Sequence, residues 1–216
     1  LRTLTPLEAR VLGVLVEKQH TVPDTYPLSL NSLVAGCNQK TARLPVIEAT
    51  DAEVLTAVDG LKGLSLVFEG SSSRVIKFEH NTGRVLGVPS QSVALLAVLM
   101  LRGPQTAAEL RLNCERLHRF ADISSVEGFL DELAAREPAR VIKLPRAAGE
   151  REARWAHLLC GEVAPPAAAL AAEAPVGVSA GELAALKAEQ TRLADEVTEL
   201  RTLVQRLARE LGVDGP

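Results

Sequence analysis

Residues Cys37 to Arg43, CNQKTAR, gather two cations, two amides and a hydroxyl directly behind a short apolar stretch. Such a set suits the gripping of phosphate, because ammonium and guanidinium groups neutralise it while amides and hydroxyls donate to its oxygens. The expectation is that Lys40 and Arg43 face outward from a loop. Asn38, Gln39 and Thr41 would add hydrogen bonds or order that loop, and Cys37 would close the preceding helix as a buried apolar residue. Arg74 and Lys77 join the phosphate-gripping set from a hairpin further on. A second cationic set comprises Arg111, Arg116 and Arg119, with Arg146, Arg151 and Arg154. A plain solvated loop is the blander account of the same residues.

Other chemistry is sparse. The chain has no G-x-S-x-G, no phosphate loop ending in Gly-Lys-Ser/Thr and no G-x-G-x-x-G after a strand. The hydroxyl-rich EGSSSR at Glu69 to Arg74 sits where a hairpin must turn, which makes it a wing tip rather than a nucleophile. His20, His80, His118 and His157 are scattered, and Tyr26 and Trp155 read as core anchors. Cys37, Cys114 and Cys160 are far apart, odd in number and not at zinc spacing with the histidines. Free thiols in a reducing compartment are expected, with no metal, no cofactor and no catalytic residue. The chain reads as not an enzyme.

The elements that position these residues are legible from caps and periodicity. Thr5-Pro6-Leu7-Glu8 has the form of a capping box with proline at the first helical position. Leu4, Leu7, Val11, Val14 and Leu15 follow at helical spacing, with Arg10, Glu17 and Lys18 expected on the other side. Ser29 can cap a short second helix carrying Leu30, Leu33, Val34 and Cys37. Thr50-Asp51-Ala52-Glu53 opens a third, with Val54, Val58 and Leu61 on its inner face. GLSLVFEGSSSRVIKFEH then reads as two strands around a Gly-Ser turn. Three helices and a hairpin in this order predict a winged helix.

The second half repeats the pattern. Ser90 opens SQSVALLAVLMLRG, and the capping box at Thr106 to Glu109 answers to Ser29, with Leu110 matching Leu33 and Cys114 matching Cys37. VEGFLDEL from Val126 matches the third helix, pairing Asp131 with Asp59. Val141 to Leu144 and Arg154 to Leu159 supply a second hairpin. The predicted organisation is therefore a mainly α chain with small β-hairpins: tandem winged-helix domains at 1–82 and 83–163, then a Pro/Ala linker at 164–181. A coiled-coil helix follows at 182–212. Its apolar seam runs through Leu183, Leu186, Gln190, Leu193, Val197, Leu200, Val204 and Leu207. β-branched residues and one polar residue at a, with Leu at d, favour a parallel two-stranded coil and a homodimer. A lone helix packed back on its own domain is the alternative.

Three stretches carry a resemblance: LTPLEARVLGVLVEKQ, YPLSLNSLVAGCNQKTAR with Pro-Val just beyond, and LRGPQTAAELR. They are similar to the YceH-like family of bacterial proteins, over residues 3–163 and into a C-terminal helix. The resemblance implies a tandem winged-helix architecture and a bacterial cytoplasmic protein, and it implies no biochemical role. Asn38-Gln39-Lys40-Thr41 and Arg43 match the family pattern. Leu44 stands where many members have an acidic residue, which removes that carboxylate from any contact depending on it.

Composition narrows the function. A formal charge of −3 on 216 residues provides no global cationic field to draw in nucleic acid. No apolar run approaches the roughly 20 residues needed to span a bilayer, no leader is visible, and cytoplasm is the expected compartment. The third helix, TDAEVLTAVDGLKG, would turn Asp51, Glu53, Thr56, Asp59 and Lys62 outward. Carboxylates repel phosphate, so base reading by this helix is not expected. The first functional expectation is DNA association, regulatory or architectural, through loop and wing cations. The alternative is a protein-interaction scaffold in which the acidic third helices dock a partner.

Overall fold

The structure is a computed structural model that describes residues 2–70, 75–146 and 152–163. These are mainly helical, with seven α-helices and two small antiparallel sheets. In chain order they are α1 (Pro6–Thr21), β1 (Leu28–Ser29), α2 (Leu30–Cys37), α3 (Asp51–Gly63), β2 (Val67–Gly70) and β3 (Lys77–His80). After α4 (Thr82–Leu86) come α5 (Ser90–Arg102), α6 (Ala107–Asn113), α7 (Ile123–Ala134), β4 (Val141–Lys143) and β5 (Trp155–His157). The heptad residues Leu183 to Leu207, the linker, Arg74 and Arg151 lie outside the described residues.

The caps act where the sequence places them. Thr5, Thr50 and Thr106 each accept from the backbone N–H of a glutamate three residues on, and each glutamate reaches back to the cap. Ser29 caps α2. Asp122, which periodicity did not single out, caps α7 by accepting from Ser125 N at 2.7 Å. Two elements were also not foreseen. The two-residue β1 pairs with β3, Leu28 opposite Phe78, giving a sheet of order β1-β3-β2. The short α4 ends at Gly87, whose φ of 63° is a left-handed cap that suits glycine. The second half echoes β1 only as an isolated bridge: Gln105 and Trp155 exchange backbone hydrogen bonds just before the Thr106 cap.

Amphipathic spacing predicts one buried face for α1, with Arg10 on the other side. Instead α1 is buried continuously from Glu8 to Val16, Arg10 included at 3% exposure. The reason is that α2 and α3 cover one flank while α5 covers another. Glycine permits these close crossings. A Cβ on Gly13 would lie 2.9 Å from Leu101 Cγ on α5, and one on Gly36 of α2 would lie 2.5 Å from Val14 Cγ1. The buried apolar residues consequently form one cluster running from Leu4 to Leu159, across both sequence repeats. Backbone bonds cross as well: Leu4 N donates to Leu159 O and Leu44 N to Leu101 O, both at 2.8 Å.

Candidate functional site

The segment after α2 is shaped by its own side chains. Asn38 ends the helix, and its amide donates to Ala49 O and accepts from Ala49 N, both at 2.8 Å. This two-way bond imitates a strand pair and closes the loop between α2 and α3. Ala42 takes a left-handed φ of 58°, an uncommon state for a residue with a Cβ. Its neighbour Arg43 is thereby sent inward.

Arg43 does not face outward, which corrects the sequence expectation. Its side chain is fully buried against Glu17. Nε donates to Gly36 O at 3.0 Å. Nη1 donates to Ala42 O at 2.9 Å and Glu17 Oε1 at 3.1 Å, and Nη2 to Glu17 Oε2 at 2.6 Å and Gln39 Oε1 at 2.7 Å. A guanidinium has five N–H donors, and all are used inside the protein. Burial alone would raise the Glu17 pKa, but the Arg43 fork, with Lys18 beside it, holds it below the ordinary value. Gln39 Oε1 also accepts from Lys18 Nζ at 3.0 Å. Of the quoted stretch, Lys40 and Thr41 are the exposed polar residues.

Arg10 was not singled out from sequence and lies beside this network. Nη1 donates to Cys37 O at 3.0 Å and Nη2 to Pro45 O at 2.6 Å. Burial, and next the charge of Arg43, lower its pKa. The loop thus runs from α2 across α1 to α5 as a strap, held by Arg43 at one end and by Arg10 and the Leu44–Leu101 bond at the other. The signal in the sequence was the run Arg10, Gly13, Glu17 along one side of α1, since an interior glycine invites a close neighbour.

The remaining expected cations disperse. Lys77 is half-buried on β3. Arg111 donates to Ala121 O, Arg119 pairs with Glu115 at 3.5 Å, and Arg154 pairs with Glu109 at 2.9 Å. Arg116 and Arg146 are exposed. By contrast the outer face of α3 forms a coherent surface. Asp51, Glu53, Thr56 and Asp59 are exposed around Leu55, itself 41% exposed. The lysine at the end of α3, Lys62, is occupied by Asp59 and Glu69. On α7 the corresponding face shows Ile123 with Asp131 and Glu132, and Glu127 half-buried.

Among the described residues no group of histidine, cysteine or carboxylate side chains is disposed to hold a metal, and no helix is long and apolar enough to cross a membrane. Cys37 and Cys114 are buried, which pushes both thiols up to about 12.

Comparison with known proteins follows the same lines as the motif resemblance. Residues 4–150 match the family described as protein of unknown function, DUF480. A UPF0502 protein of Burkholderia multivorans is 72% identical, the match covering 99% of this chain and 92% of the relative. UPF0502 proteins of Burkholderia cenocepacia and Cupriavidus pinatubonensis are each 70% identical with the same coverage. The chain belongs to this DUF480 family of bacterial UPF0502 proteins.

Proposed function

We propose that the protein is a non-catalytic, cytoplasmic scaffold of two tandem winged helices whose third helices dock a protein partner. The observation that carries this reading is the α3 face, where Leu55 stands exposed between Asp51 and Asp59, one turn to either side, while Lys62 is already paired. An apolar anchor ringed by carboxylates complements a partner that presents an apolar side chain flanked by lysine or arginine. On α7 the position matching Leu55 is the half-buried Glu127, and the exposed apolar residue is Ile123 in the first turn. The absence of catalysis is part of this proposal, and the burial that pushes the Cys37 and Cys114 thiols up to about 12 supports it. The heptads at 182–212 would join two copies, doubling the docking faces. Deleting the chain from Gly181 should then halve the mass seen by light scattering, and an unchanged mass would refute the dimer.

A second reading, DNA association through backbone phosphates, keeps the support of Lys40 and Thr41 at the exposed apex of the loop. It loses Arg43, whose donors are all engaged. One fluorescence-anisotropy series separates the two readings. It uses a labelled amphipathic Leu/Lys helical peptide and a random-sequence duplex at several salt concentrations. Docking predicts that the peptide binds and that Leu55→Glu weakens it at least tenfold. Binding confined to the duplex, with a salt slope reduced by about one unit in Lys40→Ala, would replace the scaffold reading with the second.

A further inference from the structure

A cleft of about 520 Å³ opens between the strap and the second half of the molecule. Its walls are Leu7 of α1, Pro45 and Ile47 of the strap, Leu99 and Met100 of α5 and Ala156 of β5. That is the size and character of a small-molecule pocket: apolar walls with few polar groups. Arg10 also lines it, at 3% exposure. Two carbonyls engage its Nη atoms, while its buried Nε has no acceptor, and among the described residues no carboxylate pairs with it. A buried guanidinium ordinarily has a counter-charge. His157, on the same wall, has a buried Nδ1 without a partner. At the mouth stand the exposed carboxylates of Glu48, Glu53 and Glu162.

We propose that this cleft binds a small apolar monocarboxylate, its head group on the Arg10 guanidinium and its hydrocarbon body along Leu7, Ile47, Leu99 and Met100. A carboxylate is the acceptor that matches the planar fork of arginine, and it supplies the missing counter-charge. The three mouth carboxylates repel polyanions, so citrate and nucleotides are selected against. A bound acid would touch α1, the strap and α5 together and would stabilise their arrangement. Of α3 only Glu53 borders the cleft, while Leu55, Asp51 and Asp59 do not line it, so failure here would leave the scaffold proposal standing.

Met100 is the one methionine of the sequence, and a 13C label on its methyl group places a reporter on the cleft wall. Decanoate and cinnamate are titrated against the full chain beside decanol and cinnamyl alcohol, with citrate as the polyanion. The expected result is a saturable shift of the Met100 resonance by each acid and at least tenfold weaker binding of each alcohol. Citrate should leave the resonance unmoved. In Arg10→Leu, provided the thermal melt shows a folded protein, acid and alcohol should bind alike. If that variant does not fold, the comparison of acid with alcohol on the unsubstituted protein decides alone. Equal binding of acid and alcohol, equal binding of citrate, or a Met100 resonance that no probe moves would each overturn the proposal.

Discussion

Arg43 and Lys40 stand three residues apart in one motif and make opposite predictions. Arg43 has no exposed side chain and closes a bidentate pair with Glu17. Removing one partner of a buried pair leaves the other uncompensated, so Arg43→Ala should cost about 3 kcal/mol in urea unfolding. Arg43→Lys should recover only part of this, because an ammonium cannot reproduce the five-donor fork. Lys40→Ala should stay within about 0.5 kcal/mol, as exposed charges generally do. A stable Arg43→Ala protein would mean that the strap is not held by this network. The composition of CNQKTAR was readable as polar and cationic. Its direction was not, because the left-handed turn at Ala42 and the approach of Glu17 from α1 are tertiary facts that residue types do not encode.

At the scale of elements, the caps and inner faces were legible because they are local. Thr5, Ser29, Thr50 and Thr106 satisfy N–H groups only three residues away. What escaped sequence reading was what covers a second flank. Spacing alone left Arg10 and Glu17 on a free side of α1, whereas α5, encoded far downstream, packs there through Gly13. β1 escaped for a related reason: two residues carry no alternating pattern, and only the pairing of Leu28 with Phe78 defines the strand. The Gly13 crossing yields a direct test. A branched side chain at that position must displace Leu101, so Gly13→Val should destabilise by about 1–3 kcal/mol or more. The reciprocal change Leu101→Ala in the Gly13→Val background should restore part of the loss. Additive losses would show that the two residues do not share one contact.

Across the whole molecule, two half-buried histidines set an acid limit. Burial, with His20 adding repulsion at His80, pushes His80 down to about 4, and burial does the same to His157. The unfolded chain protonates histidine near 6.5, so between these values the unfolded state binds more protons. Stability should be full above about pH 6.5 and decline toward pH 4 by about 1.4 kcal/mol per pH unit for each histidine. Below that, Glu8 and Glu17, whose pKa values are lowered in the fold, add further losses as they protonate. Urea midpoints that stay constant from neutral pH down to about 5 would contradict this account. The enclosure of α1 on two flanks also matters while the chain is being made. Its α5 flank has no cover until Ser90–Arg102 has left the ribosome, several seconds later at a translation rate of about 5–20 residues per second. The nascent first repeat would travel through that interval with an apolar side bare, as a client for chaperones. A fragment of residues 1–88 should accordingly bind an apolar dye and aggregate where the full chain does not, so the two repeats would be separable in sequence and inseparable in biogenesis.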